Sequence, residues 1–189
     1  MKVMIEGSGR HVHITQEHLE ALFGAGYKLE SKKELSQPGQ FASTARIDIE
    51  GPKGTIKNIS ILGPCRAFTQ VELSFTDARS IGVSAPIRES GSIEGSAGAT
   101  LHGPAGSVTI NEGVIVAKRH VHFSPEDAAA CGVADKQIIK VRTTGERSLI
   151  FDEVVARISP DFATSMHIDY DEVNAAACFG NAEGEIIVD

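Results

Sequence analysis

Apolar and polar residues along this chain alternate in short runs with a period of two, and runs with helical periodicity are brief. Lys2 to Gly7 opens as a strand, and Ala45-Arg46-Ile47-Asp48-Ile49 alternates strictly. Gly51-Pro52-Lys53-Gly54 is a turn that folds this strand onto residues 55–62 as a hairpin. Further extended segments are expected at 69–73, 92–101, 106–110, 114–123, 137–142, 148–158, 163–167 and 185–188. Ser36-Gln37-Pro38-Gly39-Gln40 is a turn between two short extended pieces. Four short helices carry their own start signals. Thr15 caps one that runs to about Phe23 and stops at Gly24, and a second covers Asp77 to Ile81 before Gly82. Ser124-Pro125-Glu126-Asp127 places a cap, a first-turn proline and two acids in order, and Asp169 caps a last helix to about Cys178. The pattern predicts roughly a dozen strands and four short helices.

Four of the helix starts share one arrangement: an apolar residue, His or Glu, a second apolar residue, then a capping residue. They are Val12-His13-Ile14-Thr15, Val71-Glu72-Leu73-Ser74, Val121-His122-Phe123-Ser124 and Met166-His167-Ile168-Asp169. Two have another histidine two residues upstream, His11 and His120, each inside Arg-His-Val-His. Residues i and i+2 of a strand share a face, so each pair can present two imidazoles to one point. A lone His-x-His is an ordinary strand with two histidines. The duplication, with four of only seven histidines in these tetrads, points to metal. Glu72 and His167 join because they occupy the same place in the repeat. Asp77-Ala78 and Gly82-Val83 also match Asp127-Ala128 and Gly132-Val133. Six ligand-type side chains suffice for two metals with three protein ligands each, the ligand count of a catalytic zinc.

Composition narrows the class. With 189 residues and 41% hydrophobic content, the chain can bury one substantial core or two small ones. A net charge of -7 argues against a nucleic-acid partner. No apolar run is long enough for a membrane span and no secretory leader is evident, so a cytoplasmic protein is expected. Cys65, Cys131 and Cys178 are odd in number and irregularly spaced, as reduced thiols are. The absence of Trp and the 19 glycines favour small barrels with tight turns over a helical bundle. Similarity at a spacing of about one hundred residues suggests two related halves that exchange strands.

Taken in order, Arg10-His11-Val12-His13, Gly63-Pro64-Cys65-Arg66 through Thr69-Gln70-Val71-Glu72, Ile87-Arg88-Glu89-Ser90-Gly91, Arg119-His120-Val121-His122, and His167-Ile168-Asp169 with Asp171-Glu172 resemble the PduL-type phosphotransacylases, the phosphate propanoyltransferases. The resemblance covers nearly the whole chain. It implies a mainly β fold of two small helix-capped barrels related by an internal repeat, with the N-terminal strand joining the C-terminal barrel. Residues 1–9 plus 118–189 would form one barrel, and 10–117 the other, with a lid-like insertion at 28–44. It further implies two zinc ions per chain, one on His11, His13 and Glu72 and one on His120, His122 and His167. Arg66 resembles the phosphate-contacting arginine, with Ser90 its helper. Lys33, Leu62, His167 and Asn174 fall where the family contacts coenzyme A, and Gln37-Pro38-Gly39 matches a segment covering the active site. From spacing alone, Arg66 is an ordinary loop arginine.

The implied reaction converts acyl-CoA and phosphate to acyl phosphate and CoA, reversibly, with propanoyl or acetyl as the acyl group and a place in propanediol degradation. The expected partners are acyl-CoA, phosphate and acyl phosphate, with a homodimer as the candidate assembly. Many microcompartment members carry an amphipathic N-terminal extension that this sequence does not show, so the cytoplasm is the expected location and a microcompartment the alternative. Arg10 and Arg119 are assigned supporting roles beside the ligands. Two alternatives stay open on the residues alone: a two-metal hydrolase of esters or phosphoesters, and a zinc-stabilised ligand-binding module.

Overall fold

A computed structural model describes residues 1–188. In chain order the elements are β1 (Lys2–Gly7), β2 (His11–His13), α1 (Gln16–Phe23), β3 (Ser31–Glu34), β4 (Phe41–Gly51), β5 (Gly54–Gly63), β6 (Gln70–Glu72), α2 (Phe75–Ser80) and β7 (Ile87–Arg88). They continue with β8 (Ala97–His102), β9 (Ser107–Ala117), β10 (His120–Phe123), α3 (Pro125–Cys131), β11 (Ile138–Thr143), β12 (Ile150–Ile158), β13 (Ser165–Ile168), α4 (Tyr170–Ala176) and β14 (Ala182–Ile187). None of the described helices is long and apolar enough to cross a membrane.

The chain divides into two compact units. One comprises Met1–Ser8, Ser36–Pro38 and Lys118–Asp189, and the other Gly9–Leu35 and Gly39–Ala117. In the first, β1, β13, β10, β12, β11 and β14 close into a six-stranded barrel, so the N-terminal strand does join the C-terminal half. In the second, the pairings β4 with β5, β5 with β2, β2 with β6, β6 with β9, β9 with β8 and β8 with β4 close a second ring. Short β3 and β7 hang on β4 and β9.

The two rings have the same pattern of strand directions. In the second unit β2 lies parallel to β5 and antiparallel to β6, and β6 lies parallel to β9. In the first, β10 lies parallel to β12 and antiparallel to β13, and β13 lies parallel to β1. Each ring is thus built twice from one unit, a short strand, a capped helix and two antiparallel strands. Strand β1 is the last strand of the fourth copy, although it comes first in the chain. The four matching sequence stretches are the four short strands with their helix caps. In every copy the cap side chain accepts from the backbone N–H three residues on: Thr15 from His18, Ser74 from Asp77, Ser124 from Asp127 and Asp169 from Glu172. The last is a full capping box.

Alternation fills each barrel. Ala45, Ile47 and Ile49 of β4 are buried while their neighbours are not, and Ile59, Ile61, Val12, Val71 and Leu101 complete that core. The other core gathers Ile5, Val121, Phe123, Val141, Val154, Met166 and Ile168. Each fully buried Val, Ile, Leu, Phe or Met side chain among them contributes about 1.5–3 kcal/mol. Several elements differ from the periodicity, among them α2, which begins at Phe75 rather than Asp77, and β7, which no alternation marks. Residues 106–110 and 114–123 read as two strands separated near 111–113. Instead β9 runs unbroken to Ala117 and the break falls at 118–119. Gly113 permits this, since it adopts φ 123° with the Thr69 carbonyl only 2.6 Å from where a Cβ would stand. The break falls where the chain passes from one barrel to the other. Residues 92–96 form turns rather than strand, with Ser92 and Ser96 donating backbone N–H groups to Glu89 and Ile93.

Candidate metal and substrate site

The three residues of β2 are buried, as are the three of β6 beside it. Antiparallel register sets His11 opposite Glu72, and the i, i+2 rule puts His13 on the same face as His11. His11 Nε2 lies 3.3 Å from His13 Nε2 and 3.4 Å from Glu72 Oε2, and His13 Nε2 lies 3.8 Å from Glu72 Oε1. Nδ1 of His11 is 2.7 Å from the Gly9 carbonyl. A carbonyl only accepts, so Nδ1 carries a proton and Nε2 is the ring atom turned to the cluster. The chemistry of this donor set fits a small cation. Two imidazole nitrogens and a carboxylate suit zinc, and ligands about 2.0–2.1 Å from one tetrahedral centre stand about 3.3 Å apart.

Electrostatics at the trio favour positive charge beside Glu72. Burial pushes the Glu72 carboxyl up, but the His11 and His13 imidazoles and the Ser90 hydroxyl outweigh it and hold it well below the usual carboxylate range. Burial opposes charge on His11 too, yet Glu72 and the Gly9 carbonyl raise its pKa above 6.5. Burial, then the charge on His11, depresses His13 strongly. Arg66 acts on both rings as a nearby positive charge.

Around this trio the structure gathers two more of the expected residues. Ser90 Oγ donates to Glu72 Oε1 at 2.9 Å. Arg66 sits in the loop between β5 and β6, anchored by its backbone N–H to the Ile14 carbonyl, and its guanidinium reaches Gln40 Oε1 at 3.5 Å. Leu62 pairs with His13 across β5 and β2, and with Ala42, which pairs with Lys33. Lys33, Ala42, Leu62 and His13 therefore form one row, with Lys33 three strands from the trio at about 4.8 Å per strand.

Among the described residues, His11, His13 and Glu72 are the group whose three ligand atoms converge, while the other barrel repeats the strand register. Its register sets His120 opposite His167, as His11 is opposite Glu72. His120, His122 and His167 have ring centroids 4.6, 5.3 and 4.9 Å apart. His120 Nδ1 lies 2.9 Å from the Lys118 carbonyl, two residues back, as His11 does with Gly9. His167 Nε2 is 3.1 Å from Ser165 Oγ. Asn174 is exposed on α4 of this unit. The two arginines expected beside the ligands make equivalent ion pairs. Arg10 Nε lies 3.4 Å from Asp77 and Arg119 Nε 2.8 Å from Glu172, each acid being the third residue after its helix cap.

Sequence reasoning missed the layer behind the ligands. Gln70, Ser165 and Gln37 are buried polar side chains. Gln70 bonds Glu72 and Ser90, and Gln37 Nε2 donates to Ser165 Oγ and to the Ala163 carbonyl. The available signal was a polar residue two positions before Glu72 and before His167 on the same strand face.

Comparison with known proteins gives this geometry a family. The family model for phosphate propanoyltransferase matches residues 4–179. The chain is 54% identical over 183 residues to the phosphate propanoyltransferase of Enterococcus faecalis, covering 97% of this chain and 87% of that one. It is 53% identical over 185 residues to that of Listeria monocytogenes, covering 98% and 87%. To that of Thermotoga maritima it is 51% identical over 175 residues, covering 92% and 83%. The chain belongs to the phosphate propanoyltransferase family and is an enzyme of the phosphate acyltransferase class.

Proposed function

We propose that this member of the phosphate propanoyltransferase family is a zinc-dependent enzyme that moves an acyl group, propanoyl or acetyl, reversibly between coenzyme A and inorganic phosphate. The observation that carries the reading is the trio of His11, His13 and Glu72, three buried ligand atoms at the spacing of a small cation's ligands. His120, His122 and His167 are assigned a second zinc on the strength of the repeated register. When bound, zinc supplies positive charge where the carbonyl oxygen, phosphate oxygen or thiolate becomes negative, and it accepts oxygen and sulfur alike.

The protein's own residues supply the rest. A phosphate oxygen attacks the thioester carbonyl, the new bond is C–O, the bond lost is C–S, and CoA leaves as thiolate. Phosphate is nucleophilic enough that no side-chain nucleophile is required. Arg66 holds phosphate through its planar fork, and Ser90 assists from the carboxylate of Glu72. Lys33 offers a positive charge to CoA phosphate groups and Leu62 an apolar surface, and Asn174 and His167 are also assigned to CoA. Segment 37–39, whose Gln37 donates to Ser165, is assigned as the cover.

The test is thiol release from propanoyl-CoA and acetyl-CoA with and without inorganic phosphate. Release that requires phosphate, with acyl phosphate formed in step, is the expected result. Release without phosphate would make the protein a hydrolase, and no release from either donor would leave it a binding module.

A further inference from the structure

Glu72 is not held by the ligand strands alone. Gln70 is fully buried two residues ahead of it on β6, so the two side chains leave the strand on one face. The backbone N–H of Gly91 donates to Gln70 Oε1 at 2.8 Å. A backbone N–H only donates, so the orientation of this amide is fixed and its Nε2 must face the other way. Nε2 donates to Glu72 Oε1 at 2.6 Å and to Ser90 Oγ at 2.8 Å, and the Ser90 hydroxyl donates to Glu72 Oε1 at 2.9 Å. Both amide hydrogens and the hydroxyl hydrogen are used, and two donors converge on one carboxylate oxygen. The other oxygen, Oε2, makes the closer approach to the histidines, 3.4 Å from His11 Nε2, against 3.8 Å between Oε1 and His13 Nε2.

We propose that Gln70 is a positioning residue. It fixes the Glu72 carboxylate so that Oε2 is presented to the metal position, and it ties the Ser90-Gly91 turn to that carboxylate. Two donors aimed at residue 72 call for one oxygen to accept them and a second to face the metal position, which a carboxylate has and an imidazole does not. The second barrel solves the same problem with a different group. Ser165 pairs with His122 as Gln70 pairs with His13, and its hydroxyl contacts His167 Nε2 and receives Gln37. This inference rests on the zinc reading above.

The experiment is zinc titration of the full chain against a chromophoric chelator, with the melting temperature of the metal-free protein measured alongside. Gln70→Leu keeps the bulk of the side chain and removes its hydrogen bonds. It should weaken one of two zinc ions about 10–100-fold, the usual effect of losing a group that orients a ligand, and leave the other unchanged. Ser90→Ala removes one of the two donors and should weaken the same ion by less. A double variant should lose less than the sum, since both act through one oxygen. A purely structural Gln70 would lower the melting temperature without altering zinc affinity, and that result overturns the proposal. If Gln70→Leu fails to fold, Ser90→Ala decides, and unchanged affinity in it likewise overturns the proposal. A wild type that binds no zinc removes the zinc reading and this role with it. A wild type with two zinc ions and variants with the same affinities removes this role alone.

Discussion

Arg66 stands in a loop whose backbone is pinned to Ile14 while its charge is felt by both His11 and His13. A charge-assisted pair to phosphate is worth about 1.5–3 kcal/mol. Arg66→Ala should therefore slow acyl transfer about tenfold or more, and Arg66→Lys should not restore it because a point charge cannot reproduce the fork. Zinc content should not change, because Arg is not a ligand. Unaltered kcat and phosphate KM in Arg66→Ala would place phosphate elsewhere. Glu72→Ala should reduce zinc from two per chain toward one by elemental analysis, with the fold retained. Of the residues involved, the histidines were legible because His is rare and His-x-His on a strand has one geometric meaning. Glu72 was legible only through its place in the repeat. Gln70 and Ser165 were not, because an amide or hydroxyl on a strand has no characteristic spacing until its partners are in place, and Gln37 was marked only as part of a turn.

The helix starts were the most readable elements, since each cap depends on residues within one turn. Ser124 accepts from Asp127, and its own N–H is held by Thr164, as Thr15 is held by Thr69. Ser124→Ala should cost about 1 kcal/mol and lower the melting temperature by about 2–4 °C. Helix α4 carries a different liability. Burial raises Glu172 from 4.5 to about 7, although the Arg119 guanidinium at 2.8 Å pulls the other way. Between those pH values the folded protein holds a proton that the unfolded chain has released, so stability falls as pH rises through that window. Glu172→Gln keeps an acceptor for the Asp169 N–H and has no charge to bury. Wild type should lose melting temperature relative to this variant between pH 5 and pH 8. A constant difference would mean that Arg119 keeps Glu172 ionised throughout. Strand limits were less legible than helix starts. Periodicity marks residues able to lie in a sheet, but the end of β9 is set by the passage between barrels, which no local pattern records.

At the scale of the molecule, the repeat announced two related halves, and it did so because four copies of one short unit each had to end in a cap. Which strand closes which barrel is a long-range matter. Strand β1 lies between β13 and β14, so a fragment of residues 118–188 lacks a wall and the core residues Val3 and Ile5. That fragment should not melt cooperatively. Lys2 pairs with Glu185, so the start of β1 lies beside the end of β14, and the antiparallel β8 and β9 of the other barrel are joined directly at that corner. Residues 1–8 appended to the fragment through a short turn should restore a cooperative melt by circular dichroism. A cooperative melt without them would mean that the barrel closes on five strands. The catalytic reading has a single direct measurement: zinc per chain and phosphate-dependent thiol release from propanoyl-CoA, followed together as metal is withdrawn by chelation and returned. The account predicts about two zinc per chain at the start, loss of thiol release in step with loss of metal, and recovery of both on adding zinc. Full phosphate-dependent release from protein shown by elemental analysis to be free of metal would contradict it.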